Sequence, residues 1–251
     1  MMRVFITGSS DGIGLHAAKL LAENGHQVTL HARNAERAET TRSALPSAEN
    51  VLIADLRTVS EIKKLADDAN ATGTFDAIIH NAGIGYGSTS SQEITSDGIS
   101  AVFAVNTVAP YMLTCLMNKP KSRILYMSSD SHYGGDATLK NCTQSHSYSN
   151  SKLHDVMLAN AFARRWKDVQ VISMHPGWVR TKMGGSAPGS AKTPAKALAR
   201  WVEGEGPIGK VKSGAFVTTD GEDTPHKGAG DEDKQEELLK ICEEISGVPV
   251  P

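Results

Sequence analysis

Short apolar runs alternate along the chain with longer segments in which apolar residues recur at helical spacing. The short runs predict strands over residues 3–6, 27–31, 51–56, 75–80, 123–127, 169–174 and 213–218. The longer segments predict helices over residues 15–22, 58–70, 99–117, 148–166, 193–202 and 232–245. This regular alternation predicts right-handed βαβ units and therefore a three-layer α/β fold around a parallel sheet.

A single domain accounts for the whole pattern. The 251 residues can bury one large core, and no repeat, linker or second domain interrupts it. The net charge of −2 offers no basic field for nucleic acid or for an anionic membrane. Cys115, Cys142 and Cys242 are too scattered for a disulfide framework or a zinc site and indicate a reducing compartment. With no room for a signal peptide and no membrane-spanning run, we expect a soluble, cytoplasmic protein.

A glycine-rich stretch with the spacing G-x-x-x-G-x-G stands between the first strand and the first helix. Glycine lets a backbone approach a ligand closely, and the first turn of a helix presents free N–H groups and a positive dipole end. The setting predicts a cradle for the pyrophosphate of a dinucleotide, formed by Gly8, Ser9, Ser10, Asp11, Gly12, Ile13 and Gly14. The alternative is a tight turn that is merely rich in glycine.

The second strand ends at Arg33, the position that meets the adenosine ribose in a doubly wound sheet. An acid there would accept hydrogen bonds from both ribose hydroxyls, whereas an arginine would pair with a 2′-phosphate. Arg33 therefore favours NADP(H), with NAD(H) as the alternative cofactor. The competing interpretation is an exposed arginine at the start of a helix for which Asn34 is the predicted N-cap.

Polar residues in the second half of the chain could carry chemistry. Tyr148 and Lys152 are four residues apart at a helix start and share one face; no other of the five tyrosines has a lysine at that distance. The spacing alone is common on solvated helices. The fifth strand ends at Ser128 and Ser129, and strand alternation lets only one of them point into a given crevice. Asn106 lies in an apolar helix, where its amide must be used in the site or satisfied by a neighbouring helix.

In an ordered set of motifs, the chain resembles the single-domain short-chain dehydrogenase/reductase family. The motifs are Thr7-Gly8-x-x-x-Gly12-Ile13-Gly14, Asn81-Ala82-Gly83, Asn106, Ser129, Tyr148-x-x-x-Lys152 and Pro176-Gly177. The resemblance extends from residue 3 to about residue 219. It implies a Rossmann-type doubly wound sheet of about seven strands and an oxidoreductase that uses a nicotinamide cofactor.

The resemblance also implies roles for individual residues. The catalytic tetrad would be Asn106, Ser129, Tyr148 and Lys152. Tyr148 would transfer a proton, with its pKa lowered by Lys152 and by oxidised nicotinamide, and Ser129 would donate a hydrogen bond to the substrate oxygen. Asn106 would fix a water that links Lys152, which also holds the nicotinamide ribose, to solvent. The adenosine side would be lined by Asp55, Leu56, Asn81, Ala82 and Gly83, and the nicotinamide would be covered by Pro176, Gly177, Val179 and Thr181.

Two segments depart from the family pattern. Residues 130–147 are an insertion that we expect over the active site, and the stretch between Thr181 and Thr193 is short for a lid. His132 and His146 in the insertion are interpreted as surface-loop histidines. Because the chain has no H-x-H or H-x-x-x-H pair, we expect no metal site.

The helices carry predictions about assembly and charge. The resemblance implies association through the helices that contain Asn106 and Tyr148, as a homodimer or homotetramer; the alternative is a monomer, which the family also contains. Close packing of such helices would be permitted by Ala159, Ala161 and Ala163. In the terminal helix, Glu236 and Lys240 have the spacing of an ion pair.

The leading functional hypothesis is an NADP(H)-dependent carbonyl reductase or alcohol dehydrogenase that acts on a small-molecule carbonyl or alcohol. A non-catalytic dinucleotide-binding sensor on the same fold is the alternative, and the complete tetrad argues against it. A third hypothesis is an epimerase or dehydratase of the extended branch of the family. That branch usually has a G-x-x-G-x-x-G loop and a longer C-terminal domain, and this sequence shows neither, which argues against it. The substrate itself depends on pocket-lining loops, which the motifs do not specify.

Overall fold

The computed structural model describes residues 1–85, 92–180 and 185–251. The strands are β1 Arg3–Ile6, β2 Gln27–Ala32, β3 Asn50–Ile53, β4 Ala77–His80, β5 Arg123–Met127, β6 Gln170–Met174, β7 Phe216–Val217 and β8 Glu222–Asp223. The helices are α1 Gly12–Glu23, α2 Ala35–Ala44, α3 Val59–Ala71, α4 Ala101–Phe103, α5 Ala109–Leu116, α6 Tyr148–Arg165, α7 Lys192–Glu203, α8 Gly206–Gly209 and α9 Glu232–Ser246. A π-helical turn, Ala104–Val108, joins α4 to α5, and short 3₁₀ turns cover Asp130–Gly134, Cys142–Gln144 and Lys227–Gly230.

Within the described ranges, the strands form one sheet in the order β3-β2-β1-β4-β5-β6-β7-β8. Strands β1 to β7 are parallel, and β8 pairs antiparallel with β7. The predicted α/β fold with a doubly wound parallel sheet is confirmed. Strand β7 is shorter than predicted, and β8 has only two residues, too few to leave an alternating pattern in the sequence.

Successive strand residues point into two separate cores, one on each face of the sheet. Val4 and Ile6 pack with residues of α1 and α7, including Leu21 and Trp201. Phe5, between them in sequence, packs on the other face with residues of α3, α5, α6 and α9. The fold therefore has three layers. None of its helices in the described ranges is long and apolar enough to cross a membrane.

Helix α9 lies against α6. Leu238 and Leu239 of α9 belong to the same core as the alanines of α6, which are buried within this single chain at Ala159, Ala161 and Ala163. These alanine side chains are therefore used in the chain's own core, and the homodimer or homotetramer stays a prediction. The predicted ion pair of Glu236 with Lys240 is wrong. Glu236 binds Arg164 and Arg165 of α6 instead, and Lys240 pairs with Glu244.

Candidate active site

A cavity of about 780 Å³ opens at the carboxyl edge of the sheet, where β1 lies beside β4 and the strand order reverses. Ligands of doubly wound folds bind at this switch point. Most predicted site residues line the cavity: Gly8, Ser10, Asp11, Gly12, Ile13, Arg33, Asp55, Leu56, Asn81, Ala82, Gly83, Ser129, Tyr148, Lys152, Pro176, Gly177 and Val179. Ser9, Gly14 and Asn106 are not among its lining residues, and Thr181 lies outside the described residues.

Two glycines bring the loop after β1 against the segment after β4. Gly8 has a φ of 62°, and a Cβ there would lie 2.7 Å from the Cα of Ala82. A Cβ on Gly14 would lie 2.6 Å from Nδ2 of Asn81. Only glycine fits such separations, so the loop closes tightly and leads into the first turn of α1, whose N–H groups suit a pyrophosphate. The residues present therefore fit a dinucleotide.

The side chains of Ser9 and His31 fasten this loop to the strands by hydrogen bonds. The Ser9 hydroxyl is buried, where it donates to the Ile6 carbonyl at 2.8 Å and accepts from the His31 N–H at 2.9 Å. Nδ1 of His31 accepts from the Gly8 N–H at 3.0 Å, so Nε2 carries the proton and donates to the Ala54 carbonyl at 3.0 Å. Burial lowers the pKa of His31. The Ser9 hydroxyl is therefore used inside the fold, and the place of Ser9 in the pyrophosphate cradle stays a prediction.

Three arginines line the end of the cavity beside β2 and β3, where the adenosine is predicted to lie and which is called the adenosine end. They differ in their partners. Arg37 binds Asp11 at 2.9 Å, and Arg57 binds Asp55 at 2.7 Å. Partial burial opposes ionisation of Asp55, but Arg57 outweighs it and lowers the pKa of this carboxyl. Arg33 is exposed and forms no hydrogen bond or close ion pair with another described residue. Its guanidinium remains available to an anionic ligand. Asn34 caps α2 as predicted and accepts from the Arg37 N–H.

Two asparagines fasten the loops around the cavity. Nδ2 of Asn81 donates to the carbonyls of Thr7 and Gly8 at 2.9 and 3.0 Å. Asn106 lies in the π-helical turn, a feature frequent at functional sites. Its Oδ1 accepts from the Ile84 N–H at 2.9 Å, and its Nδ2 donates to the Ile84 carbonyl and the Ser151 hydroxyl, each at 2.9 Å. Asn106 thus ties the segment after β4 to α6.

The two serines after β5 have different surroundings. Ser128 is buried, and its hydroxyl donates to the Lys152 carbonyl at 2.7 Å. Ser129 lines the cavity, where its hydroxyl donates to the Asp130 carboxylate at 2.9 Å and accepts from the Ser131 N–H at 3.2 Å. The Tyr148 hydroxyl is within hydrogen-bonding reach of the Ser129 side chain. The geometry therefore brings Ser129, rather than Ser128, to Tyr148.

Lys152 is buried beside Tyr148, with an acid that sequence reasoning missed. Its Nζ lies 5.5 Å from the centroid of the Tyr148 ring and donates to the Met127 carbonyl and to Asp155 Oδ2, each at 2.8 Å. The Lys152 and Asp155 side chains are each 4% exposed. Burial alone would lower the pKa of Lys152, but Asp155 and Tyr148 raise it. The detectable signal was an acid three residues after Lys152, a spacing that brings the two side chains together on one helix.

The expected lowering of the Tyr148 pKa is not found in the protein itself. Burial raises the pKa of this phenol, Lys152 lowers it, and Asp155 and Asp130 raise it, with a net rise. Desolvation disfavours the phenolate, and the carboxylates oppose the lysine. The expected lowering was attributed to Lys152 together with oxidised nicotinamide. In the protein alone, Lys152 does lower this pKa, but burial and the two carboxylates outweigh it.

The inserted segment packs against the C-terminal part of the chain. His132 is fully buried, with Nδ1 2.6 Å from the Ser129 carbonyl and Nε2 accepting from the His226 N–H at 3.0 Å. Tyr133 donates to the Thr224 carbonyl at 2.7 Å. The prediction that His132 is a surface histidine is wrong, because it joins these segments. His146 is half-buried, and its Nδ1 lies 3.2 Å from a serine hydroxyl. Among the described residues, no cluster of three potential ligands could hold a metal.

Comparison with known proteins shows the family. A family model described as short chain dehydrogenase matches residues 2–190. An uncharacterized oxidoreductase from Emericella nidulans is 65% identical over 253 residues, covering 100% of this chain and 99% of that protein. A protein named short-chain dehydrogenase chry4, from Gibberella zeae, is 43% identical over 263 residues, with 100% and 99% covered.

Solved structures agree with this relationship. An uncharacterized protein from Mycobacterium paratuberculosis superposes with a TM-score of 0.81 at 23% identity, covering 100% of this chain and 95% of that one, and shows the shared fold. A short chain dehydrogenase from Burkholderia cenocepacia, solved in complex with NADP, has a TM-score of 0.67 at 27% identity, covering 88% and 96%. Together with the ordered motifs and the cavity they line, these matches show that the chain belongs to the short-chain dehydrogenase/reductase family of oxidoreductases.

Proposed function

We propose that this protein is an NADP(H)-dependent oxidoreductase that interconverts a carbonyl and an alcohol, with Tyr148 as the proton-transfer residue. One observation carries the proposal: the hydroxyls of Tyr148 and Ser129 and the ammonium of Lys152 meet in the cavity that the glycine loop borders. When bound there, the nicotinamide supplies or accepts the hydride.

The cofactor would be held at four places in this cavity. The loop after β1 would receive the pyrophosphate, and Asp55, Leu56, Asn81, Ala82 and Gly83 would border the adenosine. Arg33 would pair with a 2′-phosphate, and its lack of a close ionic partner among the described residues supports NADP(H) over NAD(H). Pro176, Gly177 and Val179 would cover the nicotinamide. The fold relative in complex with NADP supports this choice.

The protein's side chains would then handle the substrate oxygen and its proton. Ser129 would donate a hydrogen bond to this oxygen and stabilise the charge that develops on it. In reduction, the Tyr148 hydroxyl would give its proton to the forming alkoxide; in oxidation, the phenolate would take it back. Two N–H groups of Lys152 are held by Met127 and Asp155, which leaves the third for the nicotinamide ribose. Asn106 would position these groups, and its link to a bound water remains a prediction.

The test is an assay of reduced nicotinamide absorbance against a panel of ketones, aldehydes and alcohols. We expect turnover with NADPH, and a loss of about 10²–10⁴-fold in Tyr148→Phe, because positioned acid–base catalysis contributes that much. Cofactor binding, measured by fluorescence titration of the same preparation, should survive. Near-normal turnover in Tyr148→Phe would remove this residue from the mechanism. NADPH binding without turnover of any substrate would favour the non-catalytic sensor.

A further inference from the structure

A buried carboxylate beside the active-site lysine has no role in the proton transfer proposed above. Asp155 lies one helical turn after Lys152 on α6, and its Oδ2 accepts from Lys152 Nζ at 2.8 Å. Both side chains are almost completely excluded from solvent. A charge buried in this way is costly unless it is paired, so the arrangement fixes both side chains.

Among the described residues, Lys152 is the cation that acts on Tyr148. Apart from Asp155, the titratable groups of α6 at this site are Lys152 and Tyr148; β5 contributes Tyr126, and the loop after β5 contributes Asp130. Burial raises the pKa of Tyr126 well above its ordinary value, so it stays a neutral phenol that shares the hydroxyl of Thr114 with His80. Burial also lowers the pKa of His80 to about 3, so this ring is neutral.

The carboxylate changes what Lys152 can do to Tyr148. A lone ammonium would stabilise the Tyr148 phenolate through an unopposed positive field. With Asp155 bound to it, Lys152 presents a pair of opposite charges, and the carboxylate opposes part of the attraction that the ammonium exerts on a phenolate. Burial raises the pKa of Asp155 to about 7, so the carboxylate is ionised in the alkaline range, where a tyrosine titrates.

We propose that Asp155 is a positioning residue that orients Lys152 and holds Tyr148 in its protonated form, which adapts the site to carbonyl reduction rather than to alcohol oxidation. The inference rests on the proposed function of Tyr148. It assigns Asp155 an electrostatic role, because a protonated Tyr148 is the acid that reduction requires and oxidation requires the phenolate.

The test replaces the carboxylate with the isosteric amide in Asp155→Asn, which keeps an oxygen for Lys152 Nζ. Phenolate formation is followed by ultraviolet difference absorbance in the cofactor-free protein. Subtraction of Tyr148→Phe spectra, taken in the wild-type and Asp155→Asn backgrounds, isolates Tyr148. Removal of the negative charge should lower the Tyr148 pKa by about one unit or more, since a charge at close range typically shifts a pKa by 1–3 units.

Kinetics of the same variant give a second readout. At pH 8, the ratio of kcat for alcohol oxidation to kcat for carbonyl reduction should rise roughly tenfold, because one pKa unit changes the phenolate fraction by that factor. His154→Asn is the matched control, because His154 is the neighbouring buried residue and contacts Thr107 instead of Lys152. It should leave both the titration and the ratio unchanged.

Several outcomes would contradict the inference. An unshifted Tyr148 titration in Asp155→Asn, or an equal loss in both reaction directions, would reduce Asp155 to a structural role. If Asp155→Asn folds poorly, Asp155→Ser must show the same downward shift or the inference fails. Absence of turnover by the wild-type enzyme would instead contradict the proposed function, and the spectral titration would still decide whether Asp155 controls Tyr148.

Discussion

The two ends of the cavity are built in different ways. At the adenosine end, the loops after the neighbouring strands β1 and β4 meet through close backbone approach, such as that of Gly8 to Ala82, and the charged groups are partly exposed arginines. The other end, which holds Ser129 and Tyr148 and where the substrate is proposed to bind, is called the substrate end; side-chain hydrogen bonds such as that of His132 with the His226 N–H join its segments. The charges at the substrate end, Lys152 and Asp155, are buried.

We expect this difference to separate the residues that bind the cofactor from the residues that carry out the reaction. Exposed arginines can pair with a phosphate at little desolvation cost, but their pair energies in water are small. Buried groups interact more strongly because water does not screen them, and their pKa values move accordingly. Substitutions at the substrate end should therefore change turnover and acid stability, whereas those at the adenosine end should change cofactor affinity.

The largest effect is expected from a pair of serine variants at the substrate end. Ser129→Ala should lower kcat by about 10²–10³-fold, as for the loss of one oxyanion donor. Ser128→Ala should retain most of the turnover and lose about 1 kcal/mol of unfolding free energy, since its hydroxyl bonds only to the Lys152 carbonyl. Steady-state kinetics and urea unfolding measure the two. Greater damage to kcat in a well-folded Ser128→Ala would reverse the assignment.

At the adenosine end, Arg33→Asp should weaken NADPH binding by about ten- to a hundredfold, because a charge-assisted hydrogen bond is worth about 1.5–3 kcal/mol. NADH, which has no 2′-phosphate, should bind as before. Arg37→Ala is the matched control and should lose less, because Arg37 is already bound to Asp11. Fluorescence titration gives each Kd. Equal NADPH affinity in wild type and Arg33→Asp would contradict the role of Arg33.

Acid stability should depend on the buried histidines beneath the substrate end. The pKa of His80 is lowered by burial to about 3, below the ordinary value of 6.5 in the unfolded chain. The unfolded chain therefore binds the proton first, and stability is lost as pH falls from 6.5 toward 3. Between pH 6.5 and 5, His80 should account for about 2 kcal/mol of this loss. His80→Asn should flatten the pH dependence in urea unfolding; an unchanged slope would contradict it.

The smallest effect concerns the ion pairs that hold α9 on the helix bearing Tyr148. Glu236→Ala should lower the free energy of unfolding by about 0.5–1 kcal/mol, because this acid bridges Arg164 and Arg165 at a partly exposed site. Lys240→Ala should change it by only a few tenths of a kcal/mol, about the worth of one exposed helix pair. Thermal or urea unfolding distinguishes them. Equal losses of unfolding free energy in the two variants would contradict this difference and would favour the Glu236–Lys240 pair predicted from spacing.

The sheet, the glycine loop and the positions of most residues around the cavity can be predicted from local patterns in the sequence. These features depend on local backbone geometry: apolar periodicity identifies strands and helices, and the carboxyl ends of parallel strands converge on one edge. The end of β2 at Arg33, the cap at Asn34 and the meeting of Tyr148 with Lys152 follow from positions within a few residues of one another.

Burial and the choice of hydrogen-bond partners depend on contacts between distant parts of the chain. The Ser9 hydroxyl accepts from the His31 N–H, His132 is buried against the C-terminal segment, and Glu236 binds α6 instead of its own helix. The spacing of Lys152 and Asp155 is visible in the sequence, but the burial of both side chains is not. The other contacts join segments separated by tens of residues, and solvent exclusion by the whole fold determines the strength of all of them, so no local pattern in the sequence predicts them.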